Sequence, residues 1–310
     1  MVEVSRPLAP KILNGKWLSK QFEHRLRLRV EHEQKRSGVV PGLAVLLVGE
    51  DPASGYYVRT KSKVAHRCGF TTFDEQLPGS ASFEDVASVL MGFNEDEKVH
   101  GILLQLPLPK HLPEHKLLDL IEPQKDADGL HPLNQGLLAR GDAIVKPCTP
   151  LGCMHLIDLA YSDIEPGVGE IPVEGLPKAD LSGKRAVVIG RSILVGKPVV
   201  QLLLERNATV TTVHSRTTQI EEISRDADIL IAATGRPHLV GSDWVKDGAI
   251  VIDVGINRLE DGSLTGDVDY GAVVGKCHAI TPVPGGVGPM TVAMLMENTF
   301  SSFVRSMNCD

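Results

Sequence analysis

RAVVIGRSILVGKP, residues 185–198, passes from an apolar extended run through a glycine turn into a second apolar stretch of helical character. A buried strand that turns at glycine into a helix is the opening unit of a doubly wound α/β sheet, and the residues that follow repeat it. ATVTTVH (208–214), ADILIAA (227–233) and AIVIDVGIN (249–257) are further short apolar or β-branched runs, each separated from the last by a helix-sized interval. The expectation is a parallel βαβ series over this half of the chain.

Working backwards, residues 163–184 form a connector rich in glycine, proline and acids, which reads as a surface loop. PCTPLGC (147–153) restarts a regular pattern, placing a domain boundary near residue 150. The first half alternates in the same way. Leu18, Phe22, Leu26 and Val30 recur every four residues, one stripe of a helix of about six turns. LAVLLVG (43–49) reads as a strand covered on both faces. A helix running to Cys68 and stopping at Gly69 follows, then FTTF (70–73) in extended form. Next comes a helix capped by Ser82 that presents Val86, Leu90 and Phe93, and VHGILLQLPLP (99–109) reads as a buried strand halted by its prolines. The last segment, about 289–307, is helical in spacing, with Val292, Met296, Thr299 and Phe303 on one face, and could pack back on the first domain. The predicted architecture is two α/β domains with a cleft between them: residues 1–150, completed by the 289–310 helix, and a Rossmann-like domain over 151–288.

Composition narrows the partners. The 310 residues are 42% hydrophobic and 23% charged, with a formal net charge of −7, which argues against a phosphate-backbone surface. No run reaches the roughly 18 apolar residues of a membrane span, and the start lacks the apolar core of a signal peptide. Five scattered cysteines read as free thiols of a reducing compartment, so the expected location is the cytoplasm. The eleven histidines are scattered along the chain, and no metal site is expected.

Gly190-Arg191-Ser192 to Gly196 is a glycine turn between strand and helix, a place where backbone N–H groups can receive a pyrophosphate. Because Ser192 stands where a second glycine is usual, a plain tight turn explains it equally well on its own. At the next strand end, where NAD sites place an acid, the chain has Val213-His214-Ser215-Arg216. No carboxylate repels a 2′-phosphate there; Ser215 can donate to one, and Arg191 or Arg216 can add charge, which favours NADP. Ile256, after the fourth strand, would meet the cofactor ring, and Asp253 reads as a structural carboxylate.

Tyr57 and Lys61 stand four apart and share a helix face, with Tyr56 and Lys63 as local competitors. Alone, the pair reads better as a half-buried tyrosine beside a solvated lysine. Gln105 interrupts an apolar strand, so its amide must be satisfied in the core or turned into a site. Asp126 and Asp128 precede a glycine in KDADG, which by itself is ordinary turn chemistry. TPVPGGVGPMT (281–291), with three glycines and three prolines, describes a rigid loop open to close ligand approach.

Together, VGEDPAS followed by Tyr57 and Lys61, GILLQLPLP, KDADG, PCTPLGC, GRSILVGKP, HSRT, DVGINR, GDVD and TPVPGGVGPMTVAMLM occur in an order that resembles the bifunctional methylenetetrahydrofolate dehydrogenase and methenyltetrahydrofolate cyclohydrolase family. The likeness runs from about Ile12 to Val304. It implies NADP-dependent oxidation of 5,10-methylenetetrahydrofolate and hydrolysis of the methenyl product to 10-formyltetrahydrofolate, in a homodimer serving one-carbon supply and purine biosynthesis. It also implies that Lys61 is the principal catalytic group, hydrogen-bonded by Gln105, with Tyr57 stacked along the folate and Asp128 paired with the pterin edge. Leu104, Leu106 and Pro284, Gly285, Gly286, Val287 and Gly288 would line the folate site, while Gly190, Arg191, Ser192, Ser215 and Ile256 would hold NADP. Two features depart from the family pattern: the long 163–184 connector, and DADGLHPLN where DVDG is usual. The alternative is a shikimate-type two-domain dehydrogenase of another small metabolite, which would share the architecture but not Tyr57 or the PGGVG loop.

Overall fold

The fold is that of a computed structural model, which describes residues 9–172 and 174–307. In chain order the elements are β1 (Lys11–Ile12), α1 (Gly15–Ser37), β2 (Gly42–Val48), α2 (Pro52–Arg67), β3 (Thr71–Leu77), α3 (Phe83–Glu95), β4 (Gly101–Leu104), α4 (Glu114–Leu118), α5 (Pro132–Arg140), α6 (Cys148–Tyr161), β5 (Arg185–Ile189), α7 (Gly196–Leu204), β6 (Thr209–Val213), α8 (Ile220–Arg225), β7 (Ile229–Ala232), β8 (Ile250–Asp253), β9 (Asn257–Arg258), β10 (Leu264–Thr265), α9 (Tyr270–Val273), β11 (Ala279–Ile280) and α10 (Val287–Ser306). They divide into two compact units: Ser19–Cys148 with the chain from Thr291 onward, and the chain up to Leu18 with Thr149–Met290.

The first unit is built on a three-stranded parallel sheet in the order β3-β2-β4. Every residue of β2 is buried, as an unbroken apolar run in a parallel sheet requires. The four-residue stripe of α1 is buried, and α3 begins in a full capping box in which Ser82 and Asp85 exchange side-chain and backbone hydrogen bonds. Strand β4 is shorter than the sequence suggests. Gln105 still donates its backbone N–H to Leu46 O at 2.9 Å, but Pro107 and Pro109 have no N–H to continue the ladder, so the chain leaves the sheet. The C-terminal helix packs in this unit: Phe303 meets His100 edge to face, and Thr299 lies so close to Gly101 that a Cβ there would fall 2.6 Å from its hydroxyl.

The second unit carries a six-stranded parallel sheet in the order β1-β11-β8-β7-β5-β6. Four of these strands are the ones legible in the sequence. The other two, β1 and β11, are two residues long and pair with each other, which draws the segment before α1 into this unit rather than into 1–150. A further difference lies between β7 and β8, where the expected helix is a single 3-10 turn, Ser242–Trp244. The core is aliphatic, with Val187, Ile189, Leu230, Ala232, Val251 and Ile280 among its buried members. Four of the five cysteines lie in the described residues, all free and buried; Cys309 lies outside them.

Candidate active site

Helix α2 presents Tyr57 and Lys61 one turn apart. Its first turn is fixed by Asp51, whose carboxylate accepts from the Ser54 N–H at 2.8 Å. Lys61 Nζ reaches across to Gln105 and donates to Oε1 at 2.9 Å. Gln105, 8% exposed, is held in that orientation from both ends, because its Nε2 donates to Leu106 O at 2.6 Å while its backbone N–H holds the edge of β2. The buried amide of the apolar strand is therefore turned toward the lysine, with its second polar atom also satisfied. The local competitors are different in kind: Tyr56 and Lys63 are exposed, and Tyr56 merely meets Tyr57 edge to face.

The KDADG turn separates its two acids. Asp126 is buried and occupied with structure, accepting from the His131 N–H and from Asn134 Nδ2, each at 2.8 Å. Asp128 is half-buried and acts on Lys61. Burial pushes the lysine below its ordinary pKa, with Asp128 first and Cys148 second opposing the shift. Burial, followed by Asp128, pushes the Cys148 thiol well above its ordinary value. Lys61, Gln105, Asp128 and Cys148 thus form one polar cluster at the carboxyl ends of β2 and β4, where ligands collect in open α/β sheets. Tyr57, 38% exposed, lies on the same helix face. Leu106 is half-buried. Leu104 is a core residue at 2% exposure, which leaves its side chain little surface to offer a substrate.

In the other unit, the turn after β5 is closed on itself. Gly190 has φ +129°, and a Cβ there would lie 2.2 Å from Ala233 O, so only glycine fits. Ser192, in the place of the usual second glycine, uses its hydroxyl oxygen to accept the N–H groups of Val195 at 3.2 Å and Gly196 at 3.3 Å. The serine therefore caps α7, and residues 191–194 stand exposed in front of it, two of them the aliphatic Ile193 and Leu194. Strands β5 and β6 pair in register up to Ile189 and Val213, and the Gly190 N–H bonds Val213 O at 2.9 Å. Arg191 and the exposed pair Ser215 and Arg216 accordingly leave neighbouring strands at the same edge. These residues suit a pyrophosphate at the turn and a phosphorylated ribose beside it.

Ile256 is 46% exposed beyond β8, and Gly288 is its neighbour: a Cβ on that glycine would sit 3.5 Å from Ile256 Cδ1. The PGGVG loop is rigid. Lys16 N–H bonds Gly285 O at 2.9 Å, and a Cβ on Gly286 would lie 2.6 Å from Pro282 O. Pro284 is exposed and Val287 buried. Asp253 is a structural carboxylate, accepting N–H bonds from Gly255, Asp267 and Val268 at 2.9 to 3.0 Å.

Comparison with known proteins addresses the same residues. Residues 13–128 match the catalytic domain of the tetrahydrofolate dehydrogenase/cyclohydrolase family, and residues 173–307 match its NAD(P)-binding domain. The chain belongs to this family. The bifunctional protein FolD of Streptococcus agalactiae is 46% identical over 298 residues, 96% of this chain and 99% of its own. The FolD crystal structure from Campylobacter jejuni superposes with a TM-score of 0.87 at 43% identity, covering 96% of this chain and all of that one. The Trypanosoma brucei FolD structure, complexed with NADP cofactor and inhibitor, gives 0.88 at 38% identity, over 97% and 99% of the two chains. As a tetrahydrofolate dehydrogenase/cyclohydrolase, the protein is an oxidoreductase and a hydrolase, and the shikimate-type alternative has no better support.

Two polar residues that bond Ala127 O, next to Asp128, escape a reading of the sequence. Cys148 is visible only as part of PCTPLGC, where a regular pattern restarts and marks a boundary. Asn298 is a lone amide within the apolar helix TVAMLMENTF, the same signal that Gln105 gives in a strand.

Proposed function

We infer that the protein oxidises 5,10-methylenetetrahydrofolate with NADP and hydrolyses the resulting 5,10-methenyl cation to 10-formyltetrahydrofolate, with Lys61 as the proton-transferring group. The observation that carries this reading is the half-buried Lys61–Gln105 hydrogen bond with Asp128 and Cys148 beside it. Bound NADP supplies the hydride acceptor for the first reaction. In that step the methylene carbon loses a hydride and the positive charge spreads over the two folate nitrogens; no proton leaves, so the chain's task is alignment. Tyr57 offers a ring face along the folate, and Asp128 accepts from the N–H donors of the pterin edge.

Hydrolysis needs proton movement. Water attacks the amidinium carbon and loses one proton to give a carbinol; the carbinol loses the second as its C=O forms and the bond from that carbon to N5 breaks, and N5 takes up one of the two, so that one proton is released overall. A lysine whose burial lowers its pKa carries a larger neutral fraction and can take the proton from water, then return it to N5. Gln105 Oε1 accepts from the lysine head and so fixes where its proton-carrying nitrogen stands.

NADP rather than NAD is supported by the absence of a carboxylate at the end of β6 and by Arg191, Ser215 and Arg216 at one edge of the sheet. Family membership supports a homodimer. Four buried free thiols support a cytoplasmic location, and among the described residues no helix is long and apolar enough to cross a membrane. Following reduced nicotinamide by its near-ultraviolet absorbance, with methylenetetrahydrofolate and either NADP or NAD, tests the reading. Turnover that prefers NADP and is followed by loss of the methenyl chromophore supports it; no turnover, or a preference for NAD, overturns it.

A further inference from the structure

Helix α10 buries three polar residues, Asn298, Thr299 and Ser302, and of these Asn298 is 7% exposed. Its Nδ2 donates to Ala127 O at 2.9 Å and to Lys146 O at 2.9 Å, and lies 3.4 Å from Cys148 Sγ. Ala127 immediately precedes Asp128, and Lys146 opens the segment that ends at Cys148. The Cys148 thiol in turn donates to Ala127 O at 3.3 Å. One amide group therefore ties together the two stretches of backbone that deliver Asp128 and Cys148 to Lys61. An amide is well suited to this, since two hydrogens on one nitrogen can serve two carbonyls from separate segments at once. A hydroxyl has a single hydrogen, and a carboxylate would face both carbonyls with none.

We propose that Asn298 is a positioning residue of the folate site, which fixes the Asp128 carboxylate against the Lys61 head by clamping Ala127 to Lys146. The proposal rests on the reading of Asp128 as a folate-binding acid. Without the clamp the KDADG turn keeps the hydrogen bonds of Asp126 and the weaker thiol contact from Cys148 to Ala127 O, but loses the amide tie to Lys146, so Asp128 would be held less closely at one distance from Lys61. The groups facing Lys61 are then Gln105, unaffected because its own bonds go to Leu46 O and Leu106 O, and a loosened pair of Asp128 and Cys148.

The test compares Asn298→Ala and Asn298→Ser with Thr299→Val in the full-length protein. Thr299 is an equally buried neighbour whose hydroxyl donates to Leu295 O of its own helix, so its loss perturbs α10 without touching the clamp. All three variants should lower the thermal midpoint. Only the Asn298 variants should raise the folate KM, by about tenfold for alanine and less for serine, the effect of losing roughly 1.4 kcal/mol of positioning. In them alone the pH profile of hydrolysis should also move, because the charge opposing the burial of Lys61 is displaced. Should the alanine variant fail to fold, the serine variant decides. Asn298 variants that fold with parental folate KM and parental pH profile overturn the proposal, as does an equal change in Thr299→Val. Asp128→Asn, measured alongside, separates the two readings: if it leaves folate affinity intact, the role of Asp128 itself is at fault, whereas a loss there with unchanged Asn298 variants rejects only the clamp.

Discussion

Lys61 Nζ and Gln105 Oε1 are 2.9 Å apart, a lysine from a helix meeting an amide from the end of a strand 44 residues later. On the function proposed above, the lysine is the group whose proton the chemistry needs, and the glutamine decides where that proton is held.

Lys61→Met keeps the unbranched stem and removes the titratable head, so packing should survive. Hydride loss from the methylene carbon needs no proton transfer, while ring opening does, and a positioned acid–base group is worth about 10² to 10⁴ in rate. Hydrolysis should fall much further than nicotinamide reduction, with the absorbing methenyl compound accumulating. Equal losses in the two assays on one folded variant would take Lys61 out of the proton-transfer role.

Asp128→Asn preserves shape but turns an acceptor oxygen into a donor that faces N–H groups of the pterin. Folate affinity should weaken by about 1.5 to 3 kcal/mol, the worth of a hydrogen bond to a charged group. Titration of NADP into the same variant should give the parental affinity; the reverse pattern would misplace Asp128.

Ser215→Asp puts a carboxylate at the end of β6, where it repels a 2′-phosphate and accepts from a free 2′-hydroxyl. The ratio of kcat/KM for NADP to that for NAD should drop. An unchanged ratio would locate the discriminating contact elsewhere, with Arg191 and Arg216 the next residues to replace.

Asp253 tests the electrostatics of the nucleotide unit. Burial holds its carboxyl up at about 6 against the usual 3.8, despite three backbone N–H donors. Between those values the folded protein binds the proton that the unfolded chain has lost, so this group's contribution to stability is present at the lower pH and disappears as pH rises through about 6. Relative to Asp253→Asn, the parent should lose up to about 3 kcal/mol across that window, at about 1.36 kcal/mol for each pH unit. Trp17 and Trp244 both lie in this unit, so denaturation followed by tryptophan fluorescence reads it directly. A gap that changes in the opposite direction would mean that the backbone donors outweigh burial.

The sequence alone determined those parts of the protein whose physics is local. An unbroken apolar run such as LAVLLV is a buried parallel strand because both faces must be covered, and the four-residue stripe of α1 is helical because that period lines one face. The glycine turn at Gly190 was legible for the same reason, since its requirement lies in its own backbone. The long motifs brought the family resemblance, and with it Lys61 and Asp128 as a list of residues. Tertiary structure alone decided what those residues do to one another. Tyr56 and Lys63 lie one and two residues from Tyr57 and Lys61 on the same short stretch of chain, and only the arrival of Gln105 from the end of β4 distinguishes Lys61. Asp126 and Asp128 are two residues apart in one turn, and only the distant groups they meet, Asn134 for one and Lys61 with Cys148 for the other, make the first structural and the second chemical. Strands β1 and β11 are too short to have a period, so their pairing, and with it the assignment of the first residues to the nucleotide unit, is set by long-range hydrogen bonds that no window of sequence contains. Asn298 is the extreme case: its partners lie about 150 and 170 residues away, and nothing next to it in the chain indicates either of them.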